Sequence, residues 1–321
     1  MDKVLGIGNA LVDIMTKIPN DSTLAKFGLK KGSMQLSERD FADQINMETA
    51  NFEKSQSSGG SAANTIHGLA SLGASTGYIG KVGIDEFGEF FSKDMKANGI
   101  EPFMLKSNTD TGRAIALISP DSERTFATYL GAAIELTDTD LKSDQFKEYK
   151  ILHIEGYLVQ NHALMLKAAE LAKANNMKIS IDMASYNVVE DNLEFLKDYV
   201  KNYVDIIFAN EEESKAFTGK DPLGSLHDFA EQCEIAVVKI GSKGSLIKSK
   251  GQITRVEPIK VNPVDTTGAG DLFASGFLYG LTNNFSLAKC GDLGSLCAGK
   301  VIEVIGSKMS NETWQEIRKS I

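Results

Sequence analysis

The segment at positions 265–271, Asp-Thr-Thr-Gly-Ala-Gly-Asp, combines residue types that can bind an anion and accept a proton. Gly268 and Gly270 lack the Cβ atoms that would keep a ligand away from the backbone. A helical pattern begins at Ala269, so successive N–H groups are expected at a helix N-terminus, where the helix dipole favours negative charge. Asp271, in the first turn, can take a proton from a hydroxyl, and the positive helix end favours its ionised form. The segment therefore predicts phosphoryl transfer, and its plain alternative is a glycine-rich turn capped by an acid.

Several motifs, in the expected order along nearly the whole chain, resemble the PfkB family of carbohydrate kinases, which have a ribokinase-like fold. The family signature D-T-x-G-A-G-D is matched by 265–271, and its paired glycine before a helix is matched by 58–64. Further matches lie at 83–88, 210–213 and 239–244. The resemblance implies ATP-dependent phosphorylation of a hydroxyl on a small sugar-like molecule, with Asp271 as the catalytic base and Gly268, Ala269 and Gly270 as the anion hole.

The resemblance also implies how the acceptor is bound. Asn9 and Asp13 look like ligands for the acceptor's hydroxyls, because a carboxylate beside an amide can hold two neighbouring hydroxyls by charge-assisted hydrogen bonds. Gly59, Gly60 and Asn64 would line the same pocket from another side. Taken alone, Asn9 and Asp13 are equally consistent with ordinary polar residues at the end of a strand.

For the metal ions, the resemblance points to two places. Asn210 and Glu213 match the family's N-x-x-E element, which organises Mg²⁺ and its waters near the phosphates. One carboxylate is chemically adequate, because Mg²⁺ keeps several waters and also binds the phosphates. Backbone groups of Asp265 and Thr267 lie where some family members bind a monovalent cation such as K⁺.

Nucleotide contacts are implied for Asn210, Lys239, Gly241 and Gly244, together with the glycines of the anion hole, Gly268 and Gly270. Without the 265–271 motif, the 210–213 run would be interpreted as a solvated helix start and the 241–244 run as a hairpin turn. No P-loop pattern is present, so a P-loop kinase is excluded.

Within the family, segments 8–14 and 124–130 are similar to the adenosine-kinase-like branch. Six residues could wall an apolar slot for a nucleobase, although taken alone they are more simply explained by lid and core packing: Leu11, Met34, Leu36, Phe126, Leu130 and Tyr157. We therefore favour an adenosine-like nucleoside as acceptor, with ribose, fructose or a related sugar as the alternative. A non-catalytic sensor that binds a sugar or a nucleotide is a further alternative, but it would not need both Asp13 and Asp271.

The predicted site residues can form one site only if the strands that carry them end near one another. Short β-branched runs alternate with helical patterns, which predicts a mainly parallel central sheet with helices on both faces. The predicted strands are Val4–Ile7, Tyr78–Ile79, Ile151–Ile154, Ile179–Ile181, Val204–Phe208 and Ile235–Ile240. The predicted helices are Ala62–Leu72, Phe87–Asn98, Ala163–Ala174, Asn192–Val200, Ser225–Gln232, Ala269–Leu281, Leu287–Val304 and Glu312–Ser320.

Two stretches, about 15–37 and 103–129, interrupt the alternation. The second contains consecutive short strands, of which Ala114–Ser119 and Arg124–Tyr129 are the clearest, so we predict a small antiparallel sheet beside the main one. Such a sheet next to a ligand crevice is a candidate lid. The prediction is one kinase domain over 1–321 with this lid, either as a monomer or as a homodimer joined through lid strands.

Composition and charge disfavour several other classes of protein. The chain has 321 residues, a formal net charge of −9 and a pI of about 5.1, which disfavours a nucleic-acid binder. No apolar stretch approaches the length that spans a membrane, and no signal peptide is evident. The three cysteines lack metal-ligand spacing and predict free thiols in a reducing cytoplasm.

Overall fold

The strands form two sheets in the computed structural model, which describes residues 2–121 and 123–321. Met1 and Ser122, which fall within the predicted domain and lid bounds, lie outside the described residues. The strands are β1 Lys3–Ile7, β2 Leu11–Lys17, β3 Met34–Leu36, β4 Lys54–Gly59, β5 Thr76–Gly83, β6 Ile100–Ser107, β7 Thr111–Ile118, β8 Arg124–Gly131, β9 Tyr149–Glu155, β10 Lys178–Asp182, β11 Ile206–Asn210, β12 Ile235–Lys239, β13 Ser245–Ser249 and β14 Gln252–Val256. The α-helices are α1 Ser22–Lys26, α2 Arg39–Glu48, α3 Ser61–Leu72, α4 Glu86–Ala97, α5 His162–Ala174, α6 Tyr186–Asp191, α7 Leu193–Tyr203, α8 Glu211–Thr218, α9 Pro222–Gln232, α10 Ala269–Thr282, α11 Leu287–Val301 and α12 Asn311–Ser320. None of these helices combines the length and the apolar character needed to cross a bilayer.

The main sheet has nine strands in the order β14-β13-β12-β11-β10-β9-β1-β5-β6. Every pairing from β12 to β6 is parallel, and only the β12–β13 and β13–β14 pairings are antiparallel. Helices connect the parallel strands, because a parallel neighbour can be reached only by a crossover. The predicted ribokinase-like α/β fold, with a mainly parallel sheet, is confirmed.

Helices cover both faces of this sheet because successive strand residues point to opposite sides. Val4 and Ile206 belong to one buried cluster, which includes residues of α3, α4 and α10. Their neighbours Leu5 and Ile207 belong to the other, which includes residues of α5, α7 and α9. Continuous apolar runs in the parallel strands are thus explained by burial on two sides.

The small sheet has five strands in the order β3-β8-β7-β2-β4. Its composition differs from the prediction in three ways. Residues 103–107 belong to β6 of the main sheet, where they pair with β5. The small sheet also includes β4 and begins at Leu11, outside the predicted ranges. It is mixed rather than antiparallel, because β2 pairs in parallel with β7 and β3 pairs in parallel with β8.

Two physical reasons account for these differences. The β4 sequence, KSQSSG, lacks β-branched and aromatic residues, so its strand conformation comes from pairing with β2 rather than from local propensity. β6 follows α4 and completes a crossover unit with β5, although no helix separates it from β7.

Asp85 attaches the small sheet to the main sheet. Its carboxylate accepts hydrogen bonds from the Thr111 N–H at 2.7 Å and from the Thr111 hydroxyl at 2.6 Å. It also caps α4 by accepting from the Gly88 N–H at 2.7 Å. The 83–88 motif therefore joins the start of β7 to the start of α4.

Candidate active site

A cavity of about 2300 Å³ lies between the two sheets, at the carboxyl ends of the parallel strands. This volume exceeds the roughly 300–1,000 Å³ typical of a site for one small ligand, so two substrates fit side by side. We call the part next to the end of β1, with Asn9, Asp13 and Asn64, the β1 side. The part next to the end of β12, with Asn210 and Lys239, is the β12 side.

The loop before α10 presents backbone N–H groups at this cavity. Gly268 is the N-cap of α10 and has φ 76°, a left-handed conformation that glycine adopts without strain. The Ala269 N–H donates to the Thr266 carbonyl at 3.2 Å, so this predicted anion-hole amide is already engaged in the turn. Within residues 2–121 and 123–321, the N–H groups of Gly268, Gly270 and Asp271 have no protein acceptor. These three donors suit an anion.

Asp271 lies in the first turn of α10 and lines the cavity. The Ser61 hydroxyl donates to its Oδ1 at 2.7 Å, and the Asn64 amide Nδ2 donates to its Oδ2 at 3.0 Å. Burial raises the pKa of Asp271 to about 6, although both hydrogen bonds favour the charged form. The helix end that the sequence indicates is present, but burial has the largest influence on this pKa. With this pKa the carboxylate is still mostly ionised at neutral pH.

On the β1 side, Asn9 is held by Glu155, which sequence reasoning missed. Glu155 Oε1 accepts from the Asn9 N–H at 2.9 Å and from the Asn9 amide Nδ2 at 2.6 Å, while Oε2 accepts from the Ala62 N–H at 3.0 Å. Glu155 is 1% exposed, and burial raises its pKa to about 7. One carboxylate at the end of β9 therefore fixes both Asn9 and the start of α3.

Asp13 extends from β2 into the cavity beside the paired glycines. A Cβ at Gly59 would overlap the Asp13 carboxylate, and a Cβ at Gly60 would overlap the Asn9 carbonyl. Gly60 also has φ 100°, which favours glycine. Burial raises the pKa of Asp13 to about 6, opposed by the nearby Lys308. The glycine pair is thus required by close packing against both predicted acceptor ligands.

The predicted apolar slot also exists. Its six residues all line the cavity: Leu11, Met34, Leu36, Phe126, Leu130 and Tyr157. Met34 and Leu36, on the edge strand β3, are 57% and 60% exposed and both line the cavity. Their exposure indicates a surface that an apolar part of a ligand can cover.

Two local motifs form the β12 side. Asn210 and Glu213 make a reciprocal capping box at the start of α8: the Glu213 N–H donates to Asn210 Oδ1 at 2.9 Å, and the Asn210 N–H donates to Glu213 Oε2 at 2.8 Å. Glu213 is 4% exposed, and burial raises its pKa to about 7. Gly241 and Gly244 lie in the hairpin connection between β12 and β13 and line the cavity. Both motifs are therefore structural turns that also face the site.

Lys239, at the end of β12, places a positive charge beside the anion-binding loop. Its Nζ donates to Asp182 Oδ2 at 2.7 Å, and the two side chains are 15% and 8% exposed. A Cβ at Gly270 would lie 3.0 Å from this Nζ. Burial alone would lower the pKa of Lys239, but the carboxylates of Asp182 and Glu213 raise it, so the ammonium group stays charged.

The side chains of Asp265 and Thr267 bind an arginine. Arg124, from β8 of the small sheet, forms an ion pair with Asp265 and donates to the Thr267 hydroxyl at 2.9 Å. Asp265 also accepts from the Thr267 N–H at 3.0 Å and from the Gly306 N–H at 2.8 Å. The guanidinium engages the two side chains, whereas the predicted K⁺ site uses the backbone groups of these residues, so that site stays a prediction.

The structure brings nearly all predicted site residues to one cavity; only Gly59 and Asp265 lie behind its surface. Glu155, Asp182, Arg124 and Lys308 were missed. For Glu155 and Asp182 a signal exists, because each acid directly follows a predicted strand, where ligands commonly bind. Arg124 falls in the 124–130 segment, which resembles the adenosine-kinase-like branch. No local pattern indicates that it pairs with Asp265.

The comparisons with known proteins agree with this geometry. The profile of the pfkB family carbohydrate kinases matches residues 22–314. The chain belongs to this family. It is 32% identical over 292 residues to a 5-dehydro-2-deoxygluconokinase of Listeria monocytogenes, covering 85% of this chain and 89% of the relative.

Two solved structures resemble it over their whole length. An adenosine kinase of Sinorhizobium meliloti is 34% identical, with a TM-score of 0.88 and coverage of 100% of this chain and 99% of that one. A probable sugar kinase of Rhizobium etli is 33% identical, with a TM-score of 0.89 and coverage of 99% and 98%. As a pfkB kinase, the chain phosphorylates a hydroxyl of a sugar or nucleoside, and ATP is the family's phosphate donor.

Proposed function

We propose that this chain transfers the γ-phosphoryl group of ATP to a hydroxyl of an adenosine-like nucleoside. The observation that carries the proposal is the arrangement at the head of α10. There Asp271, held by Ser61 and Asn64, lines the same cavity as the free N–H groups of Gly268 and Gly270. A base and an anion-binding site in one cavity are what phosphoryl transfer to a hydroxyl requires.

The β1 side supports a nucleoside as acceptor. Asn9 and Asp13 offer an amide and a carboxylate for two neighbouring hydroxyls, as on a ribose ring. Met34, Leu36 and Phe126 offer an apolar surface that a free sugar would leave uncovered. A sugar acceptor is the second candidate, because a similarly related protein carries the name 5-dehydro-2-deoxygluconokinase.

In the proposed reaction, Asp271 accepts the proton of the acceptor hydroxyl as its oxygen forms a bond to the γ-phosphorus. The bond from the γ-phosphorus to the β–γ bridging oxygen breaks, and ADP leaves. The N–H groups of Gly268, Gly270 and Asp271 would stabilise the charge on the transferred oxygens, with the Lys239 ammonium group close by. Asn210, Gly241 and Gly244 would contact the nucleotide.

The residues of the β12 side fit Mg²⁺. Glu213 and Asp182 are buried carboxylates near the ammonium group of Lys239, which donates to Asp182. Burial raises the pKa of Glu213, and the nearby Asp182 raises it further. A divalent ion bound to the phosphates would supply positive charge there, with Glu213 holding its waters. Potassium would bind to the backbone groups of Asp265 and Thr267, because Arg124 engages their side chains.

ADP release should be measured with ATP, Mg²⁺ and a panel of adenosine, other nucleosides, ribose, fructose and 5-dehydro-2-deoxygluconate. The proposal expects release that depends on the acceptor and is fastest with adenosine. Fastest release with a sugar would contradict the nucleoside assignment while leaving the kinase intact. Release without any acceptor would indicate a hydrolase, and no release under any condition would favour the sensor.

The proposal also covers the compartment of the enzyme, its lid and its oligomeric state. Cys233, Cys290 and Cys297 are free and buried, as suits a cytoplasmic protein with access to ATP. The small sheet would act as a lid over the acceptor. Its edge strand β3 leaves open both a monomer and a dimer joined by edge pairing, which sedimentation of the full chain distinguishes.

A further inference from the structure

The segment Gly306–Lys308, between α11 and α12, closes the back of the β1 side. The Gly306 N–H donates to Asp265 Oδ2 at 2.8 Å. The Ser307 hydroxyl donates to Asn64 Oδ1 at 2.8 Å, and the Lys308 Nζ donates to the same oxygen at 3.1 Å. No motif in the sequence indicates this segment, yet it contacts both the anion-binding loop and the predicted acceptor ligand Asn64.

These two donors determine how the Asn64 amide is oriented. An amide oxygen accepts and an amide nitrogen donates, so Oδ1 must face Ser307 and Lys308. Nδ2 is then directed at Asp271, to which it donates at 3.0 Å. A flipped amide would place an oxygen against the Asp271 carboxylate and a nitrogen against the Lys308 ammonium group.

Lys308 also brings a positive charge behind the acids of the site. Carboxylates from three elements face it: Asp13 on β2, Asp94 on α4 and Asp271 on α10. Burial lowers the pKa of Lys308 to about 8 in spite of these three carboxylates. A further titratable neighbour is His67 on α3, whose pKa is lowered to about 3 by burial and by Lys308, so it is neutral.

We propose that Lys308 is a positioning residue of the transfer site, which orients Asn64 toward Asp271 and balances the charge of Asp13 and Asp271. This inference rests on the proposed function, because it assumes that the two acids bind and deprotonate an acceptor. Lys308 acts through Asn64 and through its charge; it does not itself line the cavity.

The test compares Lys308→Met and Lys308→Arg, using adenosine, or the fastest acceptor of the panel if that is another compound. Lys308→Met should lower kcat/KM by about 10- to 100-fold, the range for losing a hydrogen bond to a charged group. Lys308→Arg should recover most of this loss. Lys319→Met, which removes an exposed lysine of α12, is the matched control.

The pH profile separates positioning from a merely structural role. The wild-type kcat/KM should rise with pH through the pKa of about 6 of the acids and fall above the pKa of about 8 at which Lys308 loses its charge. Lys308→Arg should lose the alkaline fall, because arginine stays protonated. Lys308→Met should move the acid limb to higher pH, because Lys308 lowers the pKa of Asp13. Ser307→Ala, which removes a neutral donor to Asn64, should leave both limbs where they are.

Thermal unfolding of each variant shows whether it is folded. If folded Lys308→Met keeps the wild-type kcat/KM and acid limb, the inference is overturned. If Lys308→Met does not fold, Lys308→Arg decides, and an unchanged fall near pH 8 overturns the inference. A wild-type chain that releases no ADP with any acceptor contradicts the proposed function instead, which is a distinguishable result.

Discussion

On the β12 side of the cavity, Asn210 and Glu213 hydrogen-bond to each other across 3 positions of the chain. On the β1 side, Asn9 bonds to Glu155 across 146 positions, and Ser61 bonds to Asp271 across 210. The Asn210–Glu213 pair needs only the start of helix α8. The contacts on the β1 side exist only when β1, β9, α3 and α10 are all in place.

This difference has a functional meaning. Phosphates can be bound by local turns, because exposed N–H groups and one helix end suffice. A base aligned with a particular hydroxyl needs side chains from several elements at defined distances. Variants of the two sides should therefore separate nucleotide binding from acceptor chemistry, and the following changes test that separation.

The largest effect is expected from Asp271→Asn. Removing the proposed base should lower kcat by about 10²–10⁴, the usual contribution of a positioned base. Binding of ATP, followed by calorimetry, should change little, because the N–H groups of the loop remain. Asp292→Asn, at an exposed acid of α11, is the matched control. Near-wild-type turnover in Asp271→Asn would show that the base is elsewhere.

Arg124→Met should destabilise the fold rather than act on one side of the cavity, because Arg124 links the small sheet to the anion-binding loop. The ion pair is buried, with side chains 6% and 8% exposed, so its loss should lower the free energy of unfolding by about 3–5 kcal/mol. Arg39→Met, at a 57% exposed arginine on α2, is the control and should cost about 1 kcal/mol or less. Equal unfolding midpoints in denaturant for the two variants would contradict the link.

Glu213→Gln should act on the β12 side alone. It places an NH₂ group against an Asn210 donor and removes a charge near the phosphates, so the KM for ATP should rise by about 10- to 100-fold. The KM for the acceptor should stay near the wild-type value. Glu231→Gln, at an exposed acid of α9 outside the cavity, is the control. A larger change for the acceptor than for ATP would break the separation of the two sides.

The smallest effect is expected from Met34→Ala. Loss of apolar contact worth about 1 kcal/mol should raise the KM for adenosine about 3- to 10-fold. The KM for ribose should not change, because ribose has no base to cover this side chain. Met47→Ala, at a 70% exposed methionine outside the cavity, is the matched control. Equal effects on adenosine and ribose would argue against a nucleobase slot at Met34.

Much of this structure could be predicted from sequence, for identifiable reasons. Buried parallel strands such as Ile151–Ile154 are continuous apolar runs, and helices such as α10 follow a glycine-rich start. The fold class and the kinase activity follow from motifs that are each contiguous in the chain. The 265–271 segment carries its anion-binding geometry within seven residues, so it was recognisable without the fold.

The rest depends on distant contacts that leave no local pattern. Lys308 reaches Asn64 across 244 positions, and Arg124 reaches Thr267 across 143. The strand β4 was missed because its polar residues are ordered by β2. The sequence indicates the helix end beside Asp271 but not the burial that raises its pKa, because Ser61 and Asn64 reach Asp271 across 210 and 207 positions.

The overlap between a Cβ at position 59 and the Asp13 carboxylate ties these two positions together. Neither can be redesigned by itself: a side chain at 59 displaces the acid, and a shorter residue at 13 leaves a hole beside the glycine. An engineered preference for a different acceptor would therefore have to exchange both residues as one unit.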